Sequence, residues 1–295
     1  MKSLQPVFCG TYPAIVTPFN ESGSEVDYGS FRELLDFQIE GGVRGVVVCG
    51  STGETATLSE EEYRAVVSFA QKHVSGRAQV IGGIGASSTS RAVELARFLS
   101  DSGVDGILLV TPPYNKPTQN GLFAHFAAVH AAVDTPIVAY NVPGRTGSNL
   151  LPKTVARLVD AGIIVALKES SGSMDQVLDI LALVGDRLAL LSGEDSLIHA
   201  TMASGGVGAV SVVANVAPQL VSRLTAAALA EEWRAARDLQ REMLPLARAV
   251  FTETNPIPIK AALCLKGLIR FPTTRLPLTP AEPATIELLK RVLGL

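Results

Sequence analysis

Residues 163–168 read Ile-Ile-Val-Ala-Leu-Lys, an apolar run that ends in one charged residue, Lys168. A strand that is covered on both faces has apolar residues at successive positions instead of alternating ones. The run therefore predicts a buried strand of a parallel sheet with a lysine at its carboxyl end. Seven other short runs have the same apolar character and complete the predicted strands: 14–17, 45–49, 80–83, 106–110, 137–140, 188–192 and 208–212.

The segments between these strands have the features of helices. Ser59 with Glu62 three residues later is a capping box, and Pro152 and Pro218 stand where a proline typically begins a helix. The strands recur every 20–35 residues or so, about the length of one strand plus one crossover helix. Eight such units in about 230 residues favour an α/β fold in which parallel strands close into a (β/α)8 TIM barrel.

An open, doubly wound sheet is the competing α/β fold. That fold usually places Gly-x-Gly-x-x-Gly after its first strand, whereas Pro-Phe-Asn follows 14–17 and the Gly-Ile-Gly of 83–85 lacks the third glycine. We therefore expect the barrel, over residues 1–230. Beyond it we expect a C-terminal helical extension, 231–295, packed on the barrel, because three segments are helical by pattern: 231–251, 261–268 and 281–293.

The composition of the 295-residue chain excludes several classes of protein. With 47% hydrophobic residues it is too apolar for a disordered chain, and a formal net charge of −3 offers no basic surface for nucleic acid or an anionic membrane. No run reaches the ~18 apolar residues of a membrane-spanning helix. The first six residues lack the long apolar core of a signal peptide, so we expect a cytoplasmic protein.

The cysteines and histidines give no sign of a disulfide or a metal site. Cys9, Cys49 and Cys264 are odd in number and far apart, which fits a reducing cytoplasm. The histidines form no pair at the spacing of metal ligands. We therefore expect no bound metal.

Lys168 is the most informative residue for function, because active sites of TIM barrels lie at the carboxyl ends of the strands. Period-two alternation places it on the same face as Ala166. If that face points into the barrel, burial favours the neutral amine, the form that attacks a ketone to make a Schiff base. The alternative is a lysine at the rim that pairs with Glu169 or with another acid there.

Five other residues at strand ends could assist such chemistry, and each has a structural alternative. Tyr140 could move protons or be a hydrogen-bonded core tyrosine. Ser51 and Thr52 could hold a carboxylate or relay protons, or simply form a turn. Arg145 suits bidentate carboxylate binding or a surface salt bridge. Tyr114 follows two prolines in a rigid loop, and its alternative is surface packing.

A Schiff-base lysine also suggests pyridoxal phosphate. TIM barrels often bind phosphate at the loops after strands seven and eight, but here the loop after strand seven carries Glu194 and Asp195, which would repel it. The glycine cluster at 205–208 precedes strand eight and belongs at the opposite end of the barrel. We therefore expect no cofactor and no phosphorylated sugar.

Three motifs occur in the order and spacing of a known family: 50–54 (Gly-Ser-Thr-Gly-Glu), 140–143 (Tyr-Asn-Val-Pro) and 167–169 (Leu-Lys-Glu). From about residue 11 to residue 278 the sequence resembles the pyruvate-dependent class I aldolases, the family of dihydrodipicolinate synthase and N-acetylneuraminate lyase. Two further motifs match the synthase branch: 144–147 (Gly-Arg-Thr-Gly) and 255–260 (Asn-Pro-Ile-Pro-Ile-Lys).

The resemblance implies a lyase that needs no cofactor. Lys168 would form an imine with pyruvate, and Tyr140 would shuttle protons at the imine and enamine carbons. Ser51 would link Tyr140 to Tyr114, which a neighbouring subunit would contribute. The resemblance also implies a homotetramer built as a dimer of dimers.

The resemblance further implies the substrates and the residues that bind them. In the synthase branch, pyruvate condenses with L-aspartate 4-semialdehyde in diaminopimelate and lysine biosynthesis. Thr52 would bind the pyruvate carboxylate, Val210 would contact pyruvate, and Arg145 would bind the carboxylate of the second substrate. Gly193 and Asn255 lie at matching positions around the site.

Two alternatives to the synthase reaction stay open. Most synthases have Thr where this chain has Ser51, as the sialic acid lyases do, so another pyruvate aldolase acting on a sialic acid, a sugar acid or a hydroxyproline derivative is the nearest rival. The second alternative is a non-catalytic paralogue that binds pyruvate. The intact set of Lys168, Tyr140, Ser51 and Tyr114 argues against it.

Regulation by lysine is expected to be weak or absent. Lysine-sensitive synthases carry Asn, Glu and Tyr where this chain has Ser87, Arg91 and Pro113. The guanidinium of Arg91 would repel the ammonium of a lysine effector. Turnover measured over a series of lysine concentrations should therefore stay constant, and inhibition at sub-millimolar lysine would contradict this prediction.

Overall fold

A computed structural model describes residues 7–295, in which strands and helices alternate along the chain. The strands β1 to β8 are Gly10–Pro13, Gly45–Val48, Gln79–Ile84, Gly106–Val110, Ile137–Asn141, Ala166–Glu169, Ala189–Ser192 and Gly208–Ser211. The helices α1 to α12 are Tyr28–Glu40, Glu60–Val74, Thr89–Asp101, Gln119–His130, Pro143–Thr146, Pro152–Asp160, Met174–Val184, Ile198–Ala203, Pro218–Leu229, Trp233–Ala249, Ile257–Leu265 and Pro283–Leu293. The first six residues, on which the signal-peptide expectation rests, lie outside the described residues.

The eight strands form one parallel barrel. Each strand from β2 to β8 pairs with its neighbour in sequence, and β8 pairs with β1. The ring closes between β1 and β2, where Ala14 bridges Val47 and the N–H of Ile15 donates to the carbonyl of Val47 at 3.0 Å. The predicted TIM barrel is therefore confirmed.

Two apolar layers explain why the strands are apolar at successive positions. One layer fills the barrel interior and includes Val138, Ala166, Leu191 and Val210. The other lies between strands and helices and includes Leu167. Because successive side chains of a strand point to opposite faces, Ala166 and Lys168 point into the barrel and Leu167 points to the helices.

Two predicted strands are displaced. The first was predicted at 14–17 but is Gly10–Pro13, because after Ala14 the chain leaves the β8 ladder and the N–H of Val16 donates to the side chain of Asn215. The sixth was predicted at 163–168 but is Ala166–Glu169. The N–H of Ile163 donates to the carbonyl of Leu158 and closes the end of α6 instead.

The predicted helix starts are confirmed at the capping box of Ser59 and Glu62 and at Pro152 and Pro218. After the barrel, α10 packs along α9 and α12. Helix α11 begins at Ile257, earlier than predicted, because a proline such as Pro258 is tolerated in the first turn of a helix. The division of the chain at 230/231 stays a prediction. Within residues 7–295, no helix is both long and apolar enough to cross a bilayer.

His125 of α4 is buried behind the barrel wall. Its Nδ1 lies 3.0 Å from Thr89 Oγ1, and its buried Nε2 meets no hydrogen-bond partner among the described residues. Burial lowers the pKa of His125 to about 4. The imidazole is therefore neutral in the folded chain near pH 6, where the unfolded chain already takes up a proton.

This histidine predicts a specific acid sensitivity. Between pH 6.5 and about 4 the unfolded state binds the extra proton, so stability falls as pH falls, by about 2 kcal/mol between pH 7 and 5. His125→Asn, which keeps a polar atom near Nδ1, should remove most of this difference in urea unfolding measured at both pH values. His130→Asn, at an exposed position of the same helix, should leave it unchanged. An unaltered pH dependence in His125→Asn would show that this residue is not responsible.

Candidate active site

Lys168 and Tyr140 lie side by side at the carboxyl end of the barrel. They are register partners on β6 and β5, and both are nearly buried, with 6% and 7% of their surface exposed. The Nζ of Lys168 lies 4.1 Å from the centroid of the Tyr140 ring. The amine thus sits on the apolar interior layer with a phenol next to it.

Glu169 is not the partner of Lys168. Its carboxylate lies on the other face of β6, where it accepts hydrogen bonds from Asn141 Nδ2 at 3.0 Å, Ser171 N at 2.7 Å and Gln176 Nε2 at 3.3 Å. In the part of the chain that the structure describes, no carboxylate lies within 4.0 Å of the Lys168 amine. The alternative of a rim lysine paired with Glu169 therefore does not match the structure.

The turn at residues 50–54 follows β2 and has a strained backbone at both ends. Cys49 and Glu54 adopt φ of 54° and 52°, a left-handed conformation that costs energy for residues other than glycine. Over residues 7–295, the N–H groups of Ser51 and Thr52 donate to no protein acceptor. Two free N–H groups and two hydroxyls in one turn suit the binding of an anion.

Two cavities connect this turn to the barrel interior and to the surface. A small one, about 30 Å³, lies between Ser51 and Tyr140. A larger one of about 300 Å³ opens outward, with Ser51, Arg145 and Asn255 in its wall. A cavity of this size accommodates a small molecule. The sequence-predicted residues Ser51, Tyr140, Arg145 and Asn255 are thus brought to one place.

Asn255 connects the turn to Arg145. Its Nδ2 donates to Thr52 Oγ1 at 2.8 Å, and its main-chain carbonyl accepts from Arg145 Nη2 at 2.9 Å. The Oδ1 of Asn255 is buried and meets no hydrogen-bond donor within residues 7–295. A buried acceptor without a donor is costly.

Gly193 borders Lys168, and Val210 lies in the interior layer of the barrel. Val210 is 1% exposed and belongs to the same interior layer as Tyr140. A Cβ at Gly193 would lie 1.8 Å from Ser170 Oγ and 3.0 Å from Lys168 Cε. The lysine side chain therefore occupies space that only glycine leaves free.

Tyr114 is the one sequence-predicted residue that the described chain does not bring to the others. Its side chain is 90% exposed, and its backbone has φ of 77°. Across residues 7–295, no hydrogen bond joins it to Ser51 or Tyr140, nor Ser51 to Tyr140. The relay was expected to use Tyr114 of a neighbouring subunit, so it stays a prediction.

The acidic loop after β7 has a structural component. Asp195 is buried, and it accepts hydrogen bonds from Ser211 Oγ and from the N–H groups of Val212 and Val213. Burial raises the pKa of Asp195 and of Glu194. Within residues 7–295 no cluster of three or more potential metal ligands occurs.

Sequence reasoning assigned no role to Glu54 and Lys260, which form a buried ion pair under the turn at residues 50–54. The signal was present, because Lys260 is the single charge within the apolar helix α11. The same pattern had singled out Lys168. Its partner is more than 200 positions away in the sequence, so spacing alone could not identify it.

Comparison with known proteins gives consistent results. Residues 7–294 match the model of the dihydrodipicolinate synthetase family. A 4-hydroxy-tetrahydrodipicolinate synthase of Syntrophobacter fumaroxidans is 46% identical over 278 residues, 94% of this chain and 95% of that protein. A dihydrodipicolinate synthase structure from Thermotoga maritima is 41% identical with a TM-score of 0.95, covering 98% of each chain. A structure described as the first monomeric variant of that enzyme is 40% identical with a TM-score of 0.95, covering 98% and 96%.

The position of Gly193 predicts the effect of adding one methyl group. In Gly193→Ala the new Cβ would collide with Ser170 and crowd Lys168, so borohydride-trapped imine between Lys168 and pyruvate should fall by about tenfold or more. Ser170→Gly combined with Gly193→Ala should stay impaired, because the contact with Lys168 remains. Gly144→Ala is the control, since its Cβ would meet nothing within 4 Å. Trapping at the wild-type rate in Gly193→Ala would show that the lysine does not need this space.

Proposed function

Because the chain belongs to the dihydrodipicolinate synthetase family, we propose that it condenses pyruvate with L-aspartate 4-semialdehyde. This is the reaction of a 4-hydroxy-tetrahydrodipicolinate synthase, a Schiff-base-forming lyase of diaminopimelate and lysine biosynthesis. The observation that carries the proposal is the buried amine of Lys168 at the carboxyl end of β6, which lies beside the Tyr140 ring and has no acidic partner among residues 7–295.

In the first step, the Lys168 amine attacks C2 of pyruvate, and loss of water gives an imine. Lys168 lies on the apolar interior layer, and within residues 7–295 no carboxylate comes within 4.0 Å of the amine that makes this attack. The pyruvate carboxylate would be bound by the N–H groups and hydroxyls of Ser51 and Thr52. Val210 would contact pyruvate from β8.

In the next step, a proton leaves the methyl carbon of the imine and an enamine forms. Tyr140 is the group placed to move this proton, because its ring lies 4.1 Å from the Lys168 amine. The enamine carbon then attacks the aldehyde carbon of the second substrate and forms a carbon–carbon bond. Attack of the substrate amine on the imine carbon closes the ring and releases Lys168.

Arg145 and Asn255 would bind the second substrate in the outer cavity, with Gly193 beside it. The exposed guanidinium of Arg145 gives one Nη2 hydrogen bond to Asn255 and keeps further N–H groups for a carboxylate. Asn255 lines the same cavity, and its main-chain carbonyl holds the guanidinium there. The guanidinium therefore suits the α-carboxylate of L-aspartate 4-semialdehyde.

We also propose that the enzyme acts as a homotetramer, a dimer of dimers, in which Tyr114 enters the site of a neighbouring subunit. Two observations support this. The Tyr114 side chain is 90% exposed, and exposed leucines, Leu151 and Leu183, border a surface groove of about 830 Å³. We further propose that the enzyme is cytoplasmic. It would need no cofactor or metal, because pyruvate itself supplies the carbon of the imine.

Weak or absent inhibition by lysine is part of this proposal. Arg91 lies in the wall of a cavity of about 380 Å³ next to α3, together with Ser87. Its guanidinium pairs with Glu60 at 3.1 Å and Glu94 at 2.7 Å. These ion pairs hold a cation at the position where a lysine-sensitive enzyme would have an acid, which supports the expectation.

Two measurements test the function. Borohydride with pyruvate should attach a covalent adduct to Lys168, and absence of the adduct would exclude every pyruvate aldolase and favour a non-catalytic binding protein. Turnover of L-aspartate 4-semialdehyde plus pyruvate should exceed cleavage of N-acetylneuraminate assayed in parallel. Faster cleavage of the sialic acid would favour the rival aldolase.

Arg145 separates these aldolases most sharply. Arg145→Ala should raise the KM for L-aspartate 4-semialdehyde by about 10–100-fold, the effect of losing a charge-assisted hydrogen bond. Trapping of pyruvate on Lys168 should not change, because Arg145 lies in the outer cavity. Arg241→Ala, at an exposed position of α10 outside both cavities of the site, is the control and should alter neither. Unchanged use of L-aspartate 4-semialdehyde by Arg145→Ala would place the second substrate elsewhere.

A further inference from the structure

Glu54 and Lys260 form an ion pair that is sealed from solvent beneath the turn at residues 50–54. The exposed side-chain fractions are 1% and 0%, and Nζ lies 2.5 Å from Oε1. The ammonium also donates to the carbonyl of Thr273 at 2.8 Å. Removing two charges from water is costly, and an apolar pair of similar volume is often as stable. Stability alone therefore does not explain this pair.

The carboxylate of Glu54 fixes the far end of the turn. Its Oε1 meets Lys260 Nζ and its Oε2 accepts from the N–H of Arg275 at 3.0 Å. The backbone of Glu54 has φ of 52°, so the residue needs such contacts to hold its conformation. The turn that carries Ser51 and Thr52 is thus tied, through this side chain, to the C-terminal part of the chain.

The same C-terminal segment reaches the turn a second time. Asn255, five residues before Lys260, donates to Thr52 and accepts from Arg145. Helix α11 contains Lys260 and begins at Ile257, directly after this segment. A shift of Lys260 therefore moves Asn255 and, with it, the contacts to both Thr52 and Arg145.

We propose that Glu54 and Lys260 are positioning residues that set the orientation of Ser51, Thr52 and Asn255 for binding pyruvate and the second substrate. The inference rests on the proposed function, because it assigns the turn to the pyruvate carboxylate. Neither residue lines the cavity between Ser51 and Tyr140, and Glu54, whose side chain is 1% exposed, only borders the outer cavity. Both act through the backbone and side chains that they hold.

The surroundings of the pair favour a fixed charge arrangement. Lys260 Nζ lies 4.0 Å from the centroid of the Phe19 ring, and the Arg275 guanidinium lies 4.1 Å from the same ring. Arg275 in turn pairs with Glu62 of α2 through two contacts of 2.5 and 2.6 Å. Two carboxylates, of Glu54 and Glu62, are thus paired with two cations, of Lys260 and Arg275. Both cations lie against the Phe19 ring.

The test is a double-mutant cycle with Glu54→Gln, Lys260→Met and the combined variant, each compared with wild type. Lys290→Met, which breaks the exposed pair of Lys290 with Glu287, is the control. Borohydride trapping gives the pyruvate concentration for half-maximal labelling of Lys168, steady-state turnover gives KM and kcat, and thermal unfolding gives Tm. Lys260→Met leaves Glu54 buried without a partner, so its Tm should fall most.

The combined variant decides the inference, because it removes both charges and avoids an unpaired one. We expect its Tm to approach the wild-type value while half-maximal trapping still needs about tenfold more pyruvate, equivalent to the loss of one hydrogen bond. Lys290→Met should change neither quantity. A combined variant with wild-type trapping would overturn the positioning role and leave a structural one. A wild-type protein that pyruvate does not label would instead contradict the proposed function, and this inference with it.

Discussion

The burial of one amine at the end of a closed apolar barrel is the constraint on which the rest of the site depends. Lys168 lies on an interior layer formed by residues such as Val138 and Leu191, and the described chain offers it no acidic partner. Its acidic neighbour in sequence, Glu169, is held on the other face of β6 by Asn141 and Gln176. Lys168 and Glu169 are neighbours in sequence, but they lie on opposite faces of β6 because successive side chains of a strand alternate.

Around this amine, apolar side chains and polar groups lie at different depths of the site. Tyr140 and Val210 are part of the interior layer, Ser51 and Thr52 supply unoccupied N–H groups above it, and Arg145 stands at the outer cavity. A ketone acid that reaches Lys168 therefore passes the charged group first and meets the apolar surface last. This order suits a small anion whose carbonyl must react in a dry environment.

Local patterns predicted much of this from sequence, and long-range contacts account for what they missed. The apolar run that ends in Lys168 predicted the barrel and pointed to the proposed nucleophile, because burial on two faces leaves a recognisable pattern. The same pattern misplaced the first strand, since beyond Ala14 and Ile15 the buried residues Val16 and Thr17 bond to Asn215 and Gly53 instead of a neighbouring strand. The Glu54–Lys260 pair joins residues that are far apart in sequence, and the exposure of Tyr114 depends on the folded surface. A short stretch of sequence predicts neither.

The attachment of the turn at residues 50–54 to the C-terminal segment also has a consequence for synthesis. A nascent chain that ends after β8 already contains every strand of the barrel, together with Lys168 and Tyr140. It lacks Asn255, Lys260 and Arg275, which hold the turn in place. The order of the chain therefore delays the organised turn until the segment up to Arg275 has left the ribosome, and a prematurely terminated product would carry Lys168 without the contacts that fix this turn.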